Sequence, residues 1–191
     1  MTTDTVAVWA EARRPSDGLP VMGRTDSPTG LPWSHNAEDL KRFREITRGR
    51  VLVMGHTTFR HLPPILKSRA SLAERPMVVL ATAHGKLIDD YPGLPVQPIA
   101  WVDGEDRAAK LLRDAGTWWN DGPRRGVAVI GGRAVIELFA PLVDRLEVSF
   151  IRERHEGDVP APSVAVFDSF RWVTNTVGET ADFTTFSKRS R

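Results

Sequence analysis

Residues 127–135 read Val-Ala-Val-Ile-Gly-Gly-Arg-Ala-Val, and residues 51–59 read Val-Leu-Val-Met-Gly-His-Thr-Thr-Phe. Each is a short apolar run, rich in β-branched residues, that stops at glycine and turns at once into a helical pattern. An apolar run without polar alternation fits a strand covered on both faces. A terminal glycine lets a ligand come close to the backbone. The N–H groups that open the following helix can hold phosphate. Two such junctions could share one pyrophosphate. Neither is a G-x-G-x-x-G fingerprint or a P-loop, and a single glycine at such a junction is usually only a turn.

The same pattern extends along the chain. Thr5–Glu11, Arg50–Met54, Met77–Ala81, Gly126–Ile130 and Arg145–Ile151 are predicted strands. Helical patterns lie near Ala37–Arg48, Thr57–Leu62, Glu105–Ala115 and Arg133–Ala140. Such alternation predicts an α/β fold with a mainly parallel sheet. Arg171–Val177 and Phe183–Lys188, around Gly178–Asp182, predict a terminal hairpin that forms an antiparallel edge. Arg13–Gly30 and Asp89–Pro98 are rich in turn residues and are predicted loops. The first lies between a strand and a helix, where α/β proteins bind ligands, and part of it is expected to be a floppy insertion.

The composition narrows the function classes. At 191 residues the chain fits one domain, 1–191, able to bury a core unaided. It has no cysteine, which excludes disulfides, thiolate zinc sites and a cysteine nucleophile. Lys and Arg number 26 against 24 Asp and Glu, yet the pI is 9.3. Lys188, Arg189 and Arg191 carry that excess, and a solvated, frayed terminus is the expectation rather than a nucleic-acid surface. No apolar run is long enough to span a bilayer, and no signal-peptide pattern is present. A cytoplasmic protein is expected, with no membrane or nucleic-acid partner.

Asn36–Thr47 (NAEDLKRFREIT) carries the sharpest chemical signal. Asn36 is a suitable N-cap. Leu40, Phe43 and Ile46/Thr47 make an apolar stripe, while Glu38, with Lys41 and Arg42 at i+3 and i+4, is assigned to the solvated face. Asp39 lies on the core side, where a carboxylate is costly unless something binds it. Its bland role is to favour the helix dipole from the third position. Leu31-Pro32-Trp33 just before it adds a rigid aromatic surface. Together they suit a flat heterocycle with an amidine-like N–H pair. Arg75 is either a surface partner of Glu74 or a bidentate clamp for a ligand carboxylate. The histidines lack metal-ligand spacing, so no metal is assigned, and G-x-S-x-G is absent. The Trp118-Trp119 pair is expected to pack under a loop.

Taken in order, these pieces resemble dihydrofolate reductase. The resemblance runs from Val8-Trp9-Ala10 and Val21-Met22-Gly23 through Leu31-Pro32-Trp33 and Glu38-Asp39-Leu40-x-x-Phe43-x-x-x-Thr47. It continues with Val53-Met54-Gly55-x-x-Thr58-Phe59, Arg75-Pro-Met-Val-Val-Leu80, Val129-Ile130-Gly131-Gly132 and Phe139-x-Pro141-Leu142. Asp144-Arg145-Leu146-x-Val148-Ser149 and Gly157-Asp158 complete it.

The resemblance implies an eight-stranded, mostly parallel sheet with four main helices and NADPH-dependent reduction of 7,8-dihydrofolate to tetrahydrofolate. It implies that Asp39 binds the pterin and favours protonation at N5 through a water, with Trp33 helping to hold that water. Val8, Ala10, Leu31, Leu40, Phe43, Leu62 and Ile130 are then the substrate site. Ser149 orients the pterin and Asp39, and Arg75 clamps the glutamate carboxylate. The implied cofactor contacts are Ala10, Met22, Gly23, Gly55, His56, Thr57, Thr58, Leu80, Thr82, Ile130, Gly131, Gly132, Arg133, Ala134, Val135 and Ile136. The family's double glycine carries a cis peptide. The loop at about 13–31 becomes an enlarged lid. His56 stands where the family usually has Arg near the 2′-phosphate, Ile136 replaces a frequent Tyr, and Phe59 a common Trp. A monomer binding dihydrofolate, NADPH and antifolate inhibitors is expected. Two alternatives stay open: a same-fold reductase of a riboflavin-pathway ribosylamino-pyrimidine, and a catalytically silent folate or NADPH-binding module.

Overall fold

The computed structural model describes residues 4–81, 95–119 and 125–189. Its strands are β1 (Thr5–Arg13), β2 (Pro20–Gly23), β3 (Val51–Gly55), β4 (Met77–Ala81), β5 (Val96–Ala100), β6 (Val127–Gly131), β7 (Arg145–Ile151), β8 (Val159–Pro160), β9 (Phe170–Val177) and β10 (Ala181–Lys188). The α-helices are α1 (Ala37–Thr47), α2 (His56–His61), α3 (Arg69–Glu74), α4 (Glu105–Ala115) and α5 (Arg133–Phe139). One sheet runs β5-β4-β3-β6-β1-β7-β10-β9, with β2 beside β1 and β8 beside β2. The first six strands of that order are parallel; β10 is antiparallel to β7, and β9 is antiparallel to β10.

The central strands are apolar throughout because both faces are covered. Along β1, Ala7 and Trp9 join one core cluster with α4 and α5, while Val6 and Val8 join another with Ile46, Phe43 and Phe59. This is the two-residue alternation of a strand. In α4 the buried residues are Ala108, Leu111, Leu112 and Ala115, one stripe at helical spacing. Parallel strands need crossovers, and these place α1 and α2 on one face, α4 and α5 on the other. All the crossovers leave the C-terminal ends of β1, β3 and β6 together.

The expected α/β sheet is present, with ten strands where eight were expected. Eight form the main path; the extra pair is short. β2 lies inside the predicted loop Arg13–Gly30, pairing with β1 and β8, so that segment is not an unstructured insertion throughout. Turns close on either side of it: Arg14 N–H donates to Leu19 O at 2.9 Å, and Arg24 N–H to Gly30 O at 2.9 Å. β5 overlaps the predicted loop Asp89–Pro98; an edge strand tolerates Pro98, and the proline hid it. Residues 89–94 lie outside the described residues. Among the described residues, the short α3 is a helix that the sequence pattern did not mark.

The C-terminus also departs from expectation. Lys188 is in β10, with its ammonium donating to Pro141 O at 2.5 Å. Arg189 donates from Nε to Phe170 O at 2.9 Å and from its amide to Ser169 O. Two of the three terminal cations are therefore structural ties rather than a frayed tail. No helix among the described residues is long and apolar enough to cross a membrane.

Candidate active site

The site begins at the start of α1. Asn36 is the N-cap, in extended conformation, and its side-chain oxygen accepts the Asp39 N–H at 3.0 Å. That hydrogen bond fixes Asp39 as the third helical residue. Asp39 is half-buried. Burial raises its pKa above the ordinary carboxyl value, and a hydrogen bond from the Ser149 hydroxyl partly offsets this. Ser149 is itself buried and pairs with Ala10 across the β7–β1 ladder. Strand register thus puts the hydroxyl beside the C-terminal half of β1, and Asp39 reaches it from the helix above.

Two apolar groups border this carboxylate. Val8 and Ile130 belong to one cluster, with Phe43 and Leu62 packed against it. Trp33 is almost fully buried in another, against which Ala10, Leu31 and Phe183 pack. The Trp33 ring lies 6.0 Å from the His155 ring. Leu40 is half-buried beside Asp39 on the helix. The residues expected to hold a heterocycle therefore fall into two adjoining groups rather than scattering.

The two strand–glycine–helix junctions meet. β3 and β6 are neighbours, and their register slips at Ile130, so that Met54 pairs with Gly131. Such bulges recur beside active sites. Gly131 has φ 132° and the Gly131–Gly132 peptide is cis, as the resemblance implied. A methyl group built on Gly131 or Gly132 would lie 3.4 Å from the Thr58 hydroxyl, and one on Gly55 would lie 3.8 Å from Gly132 N. Neither α2 nor α5 has a side-chain cap, so their first N–H groups keep that capacity for a ligand. The chain has built a glycine-walled cradle with a hydroxyl at its rim.

Other candidates are placed as follows. His56 opens α2 and is half-buried; Thr57 is exposed, and its carbonyl is 2.8 Å from His61 Nδ1. Arg133 spends its side chain on Glu137 at 2.9 Å, which leaves its amide to the cradle, and Ala134 is exposed. Leu80, Val135 and Ile136 are sealed in the core behind the cradle, Ile136 completely. Met22 packs on the same core, which includes Trp9. Gly23 is hemmed in: a methyl there would sit 2.9 Å from Val159 Cβ. Asp158 ties down the segment after β2 by accepting from the Thr25 hydroxyl and, at 2.8 Å, from the Thr25 amide, and these bonds lower its pKa. Thr82 lies outside the described residues.

Arg75 follows α3 and leads into β4. Nη1 is 3.2 Å from Glu74, yet the side chain is buried and Nε has no hydrogen-bond partner. A buried guanidinium donor left open is what a carboxylate-bearing ligand would satisfy. Trp118 and Trp119 form an edge-on pair in which Trp119 packs on the core while Trp118 is exposed.

Glu38 stays partly exposed, in line with its assignment to the solvated face, but it bonds to neither Lys41 nor Arg42. Its carboxylate accepts from the Thr180 hydroxyl, the Thr180 amide and the Glu179 amide, which holds its pKa down to about 2. Arg42 turns instead to the buried Glu147, at 2.7 Å. Sequence reasoning missed Thr180 altogether. It is 144 residues from Asn36, to whose side chain it also donates, and only the sheet order brings the two together.

The comparisons agree with this geometry. The family model described as dihydrofolate reductase matches residues 20–188. Dihydrofolate reductase type 9 of Escherichia coli is 29% identical over 144 residues, 75% of this chain and 72% of the relative. The dihydrofolate reductase of Lactococcus lactis is 24% identical over 169 residues, 88% of this chain and 84% of the relative. Among solved structures, the dihydrofolate reductase from Enterococcus faecalis, complexed with NADP(H) and RAB-propyl, superposes with a TM-score of 0.68 at 27% identity, covering 98% of this chain and 97% of that one. Fold and comparisons place the protein among the oxidoreductases. The chain belongs to the dihydrofolate reductase family.

Proposed function

We propose that this chain reduces 7,8-dihydrofolate to 5,6,7,8-tetrahydrofolate with NADPH, adding hydride at C6 and a proton at N5. The observation that carries the proposal is the desolvated Asp39 carboxyl, held by Ser149 at the edge of an apolar site. A pterin offers an amino group and a ring N–H side by side, and a carboxylate matches that pair with two charge-assisted hydrogen bonds. Val8, Ala10, Leu31, Leu40, Phe43, Leu62 and Ile130 supply the apolar walls.

The residues at the cradle fit a dinucleotide. Gly55, Gly131 and Gly132 leave room for a pyrophosphate, and Thr58 adds a hydroxyl donor at the place where any side chain would intrude. The backbone of Ala10, with Met22 and Gly23 of the lid, is assigned to the nicotinamide end; His56 and Thr82 are assigned to the 2′-phosphate. When bound, NADPH supplies the hydride. The protein supplies placement and field. Asp39 fixes the pterin ring and, by its charge, makes N5 more basic. Trp33 helps to hold the water that carries the proton, because a carboxylate on the amino side of the ring cannot touch N5. Ser149 keeps Asp39 from turning away, and Arg75 receives the glutamate carboxylate. The 13–31 segment closes over the nicotinamide and excludes bulk water. The protein works as a cytoplasmic monomer, and antifolates compete for the Asp39 site.

The test is oxidation of NADPH by the purified, folded chain, with dihydrofolate and the ribosylamino-pyrimidine offered separately. Turnover with dihydrofolate alone is the expected result. Turnover with the pyrimidine alone, or binding of both ligands without turnover, would replace the proposal.

A further inference from the structure

Four hydrogen bonds join the start of α1 to the tip of the β9–β10 hairpin. Glu38 Oε1 accepts the Glu179 amide at 3.1 Å. Glu38 Oε2 accepts the Thr180 amide at 2.6 Å and the Thr180 hydroxyl at 2.5 Å. Asn36 Oδ1 lies 3.1 Å from the same hydroxyl and also accepts the Asp39 amide at 3.0 Å. The Thr180 hydroxyl has one proton, so it is shared between Asn36 and Glu38. Asn36 is the hinge of the set: one oxygen binds both the hairpin and the backbone of the proposed catalytic residue.

The hairpin is shaped to come this close. Gly178 N–H donates to Ala181 O at 3.0 Å, which closes a tight turn at Glu179 and Thr180. A methyl group on Gly178 would fall 2.8 Å from Glu38 Oε1 and 2.5 Å from Ala181 O. Only glycine permits the approach. β10 in turn is bonded along its length to β7, the strand that carries Ser149, with Phe183 opposite Ser149. Asp39 is therefore addressed twice from one piece of sheet: Ser149 beside its carboxylate, and the hairpin tip of the adjoining strand tied to its helix turn through Asn36.

We infer that Glu38 and Thr180 are positioning residues that set the place of the Asp39 carboxylate by tethering the start of α1 to the β9–β10 turn. The inference rests on the proposed reduction of dihydrofolate. Neither residue touches substrate; both act through Asn36 and the helix turn. An ordinary surface contact would add a little stability and nothing more. A tether shared with the cap of the catalytic helix does something specific: when it is cut, the pterin end of the site loosens while the cradle, on other strands, is untouched. Small misplacements of a catalytic group cost rate steeply.

The test compares Glu38→Ala, Thr180→Val and Thr180→Ser with the parent chain. Steady-state KM for dihydrofolate and Kd for NADPH are measured on protein confirmed folded by circular dichroism, with folate binding titrated by tryptophan fluorescence in parallel. Glu38→Ala and Thr180→Val are expected to raise the dihydrofolate KM and folate Kd by about tenfold. The NADPH Kd should stay within about twofold, and Thr180→Ser, which keeps the hydroxyl, should stay close to the parent. Equal weakening of both ligands, unchanged folate affinity, or a Thr180→Ser as impaired as Thr180→Val overturns the inference. A parent chain that binds folate without turning over refutes the reaction instead, and the same split in folate and NADPH binding then decides the tether.

Discussion

Replacing Asp39 by asparagine should separate function from stability in opposite directions. Asparagine keeps the shape and can still bond to Ser149, so packing is preserved. It loses the charge. A hydrogen bond to a charged group contributes about 1.5–3 kcal/mol, against about 1 kcal/mol for a neutral one. The pterin pair would make two bonds with Asp39, one of which the amide cannot reproduce because its NH2 faces a donor. A loss of about 3 kcal/mol follows, and with each 1.4 kcal/mol worth about tenfold, kcat/KM at neutral pH should fall by about two orders of magnitude.

Stability should move the other way. Burial raises the folded-state pKa of Asp39, so the folded chain holds that proton more tightly than the unfolded chain. The charged group therefore destabilises the fold at every pH above the raised value, and this cost disappears as pH falls below the ordinary carboxyl range. The Asp39→Asn chain would carry no such cost. The Asp39→Asn chain is therefore expected to melt at a higher temperature at pH 7, and each kcal/mol gained would raise Tm by about 2–4 °C for a chain of this size. The assays are turnover at neutral pH and thermal melting at pH 7 and pH 3. Activity within tenfold of the parent, or a Tm at pH 7 that falls, refutes the reasoning. The Tm difference between the two proteins should shrink at pH 3.

Three further outcomes are expected. Arg75→Leu should raise the dihydrofolate KM by about tenfold or more, through loss of a charge-assisted pair, while a pterin lacking the glutamate is bound as well as by the parent; equal losses with both ligands count against the clamp. Gly157→Ala should push the lid outward, since its methyl would meet Gly23 O at 2.7 Å and Val21 Cβ at 3.2 Å, and faster proteolysis near residues 14–30 with weaker NADPH binding is the readout. Glu38→Gln should cost stability near pH 6 but progressively less as pH falls from about 4.5 toward 2, because the parent's carboxyl has a depressed pKa of about 2 and its advantage vanishes as it is protonated; melts across that range check it.

The parallel core was legible because its strands are buried on both faces and so read as unbroken apolar runs; Met77–Ala81 and Arg145–Ile151 have the expected bounds. β2 and β5 were not legible. Each is short and carries proline, so the local strand signal is weak. At the site, Asn36 and Asp39 announced themselves through local helix chemistry, and the paired glycine junctions through their spacing. The partners of Glu38 were not legible locally: its i+3 and i+4 charges fit a solvated face, which it keeps, but the groups it binds sit 141 and 142 residues away. Arg42 was drawn off by Glu147, a buried carboxylate that also accepts from Thr185 at 2.8 Å. Local pattern reads local bonds; a tether between helix and hairpin exists only once the sheet order is known.

The central claim is hydride delivery to a folate ring fixed by Asp39. Incubating the chain with dihydrofolate and NADPH deuterated at the transferable position of the nicotinamide, then analysing the product by mass spectrometry and NMR, tests it most directly. The account predicts tetrahydrofolate carrying one deuterium at C6 and a solvent-derived proton at N5. Unlabelled tetrahydrofolate, deuterium elsewhere in the ring, or unchanged dihydrofolate from folded protein with both ligands bound would contradict it.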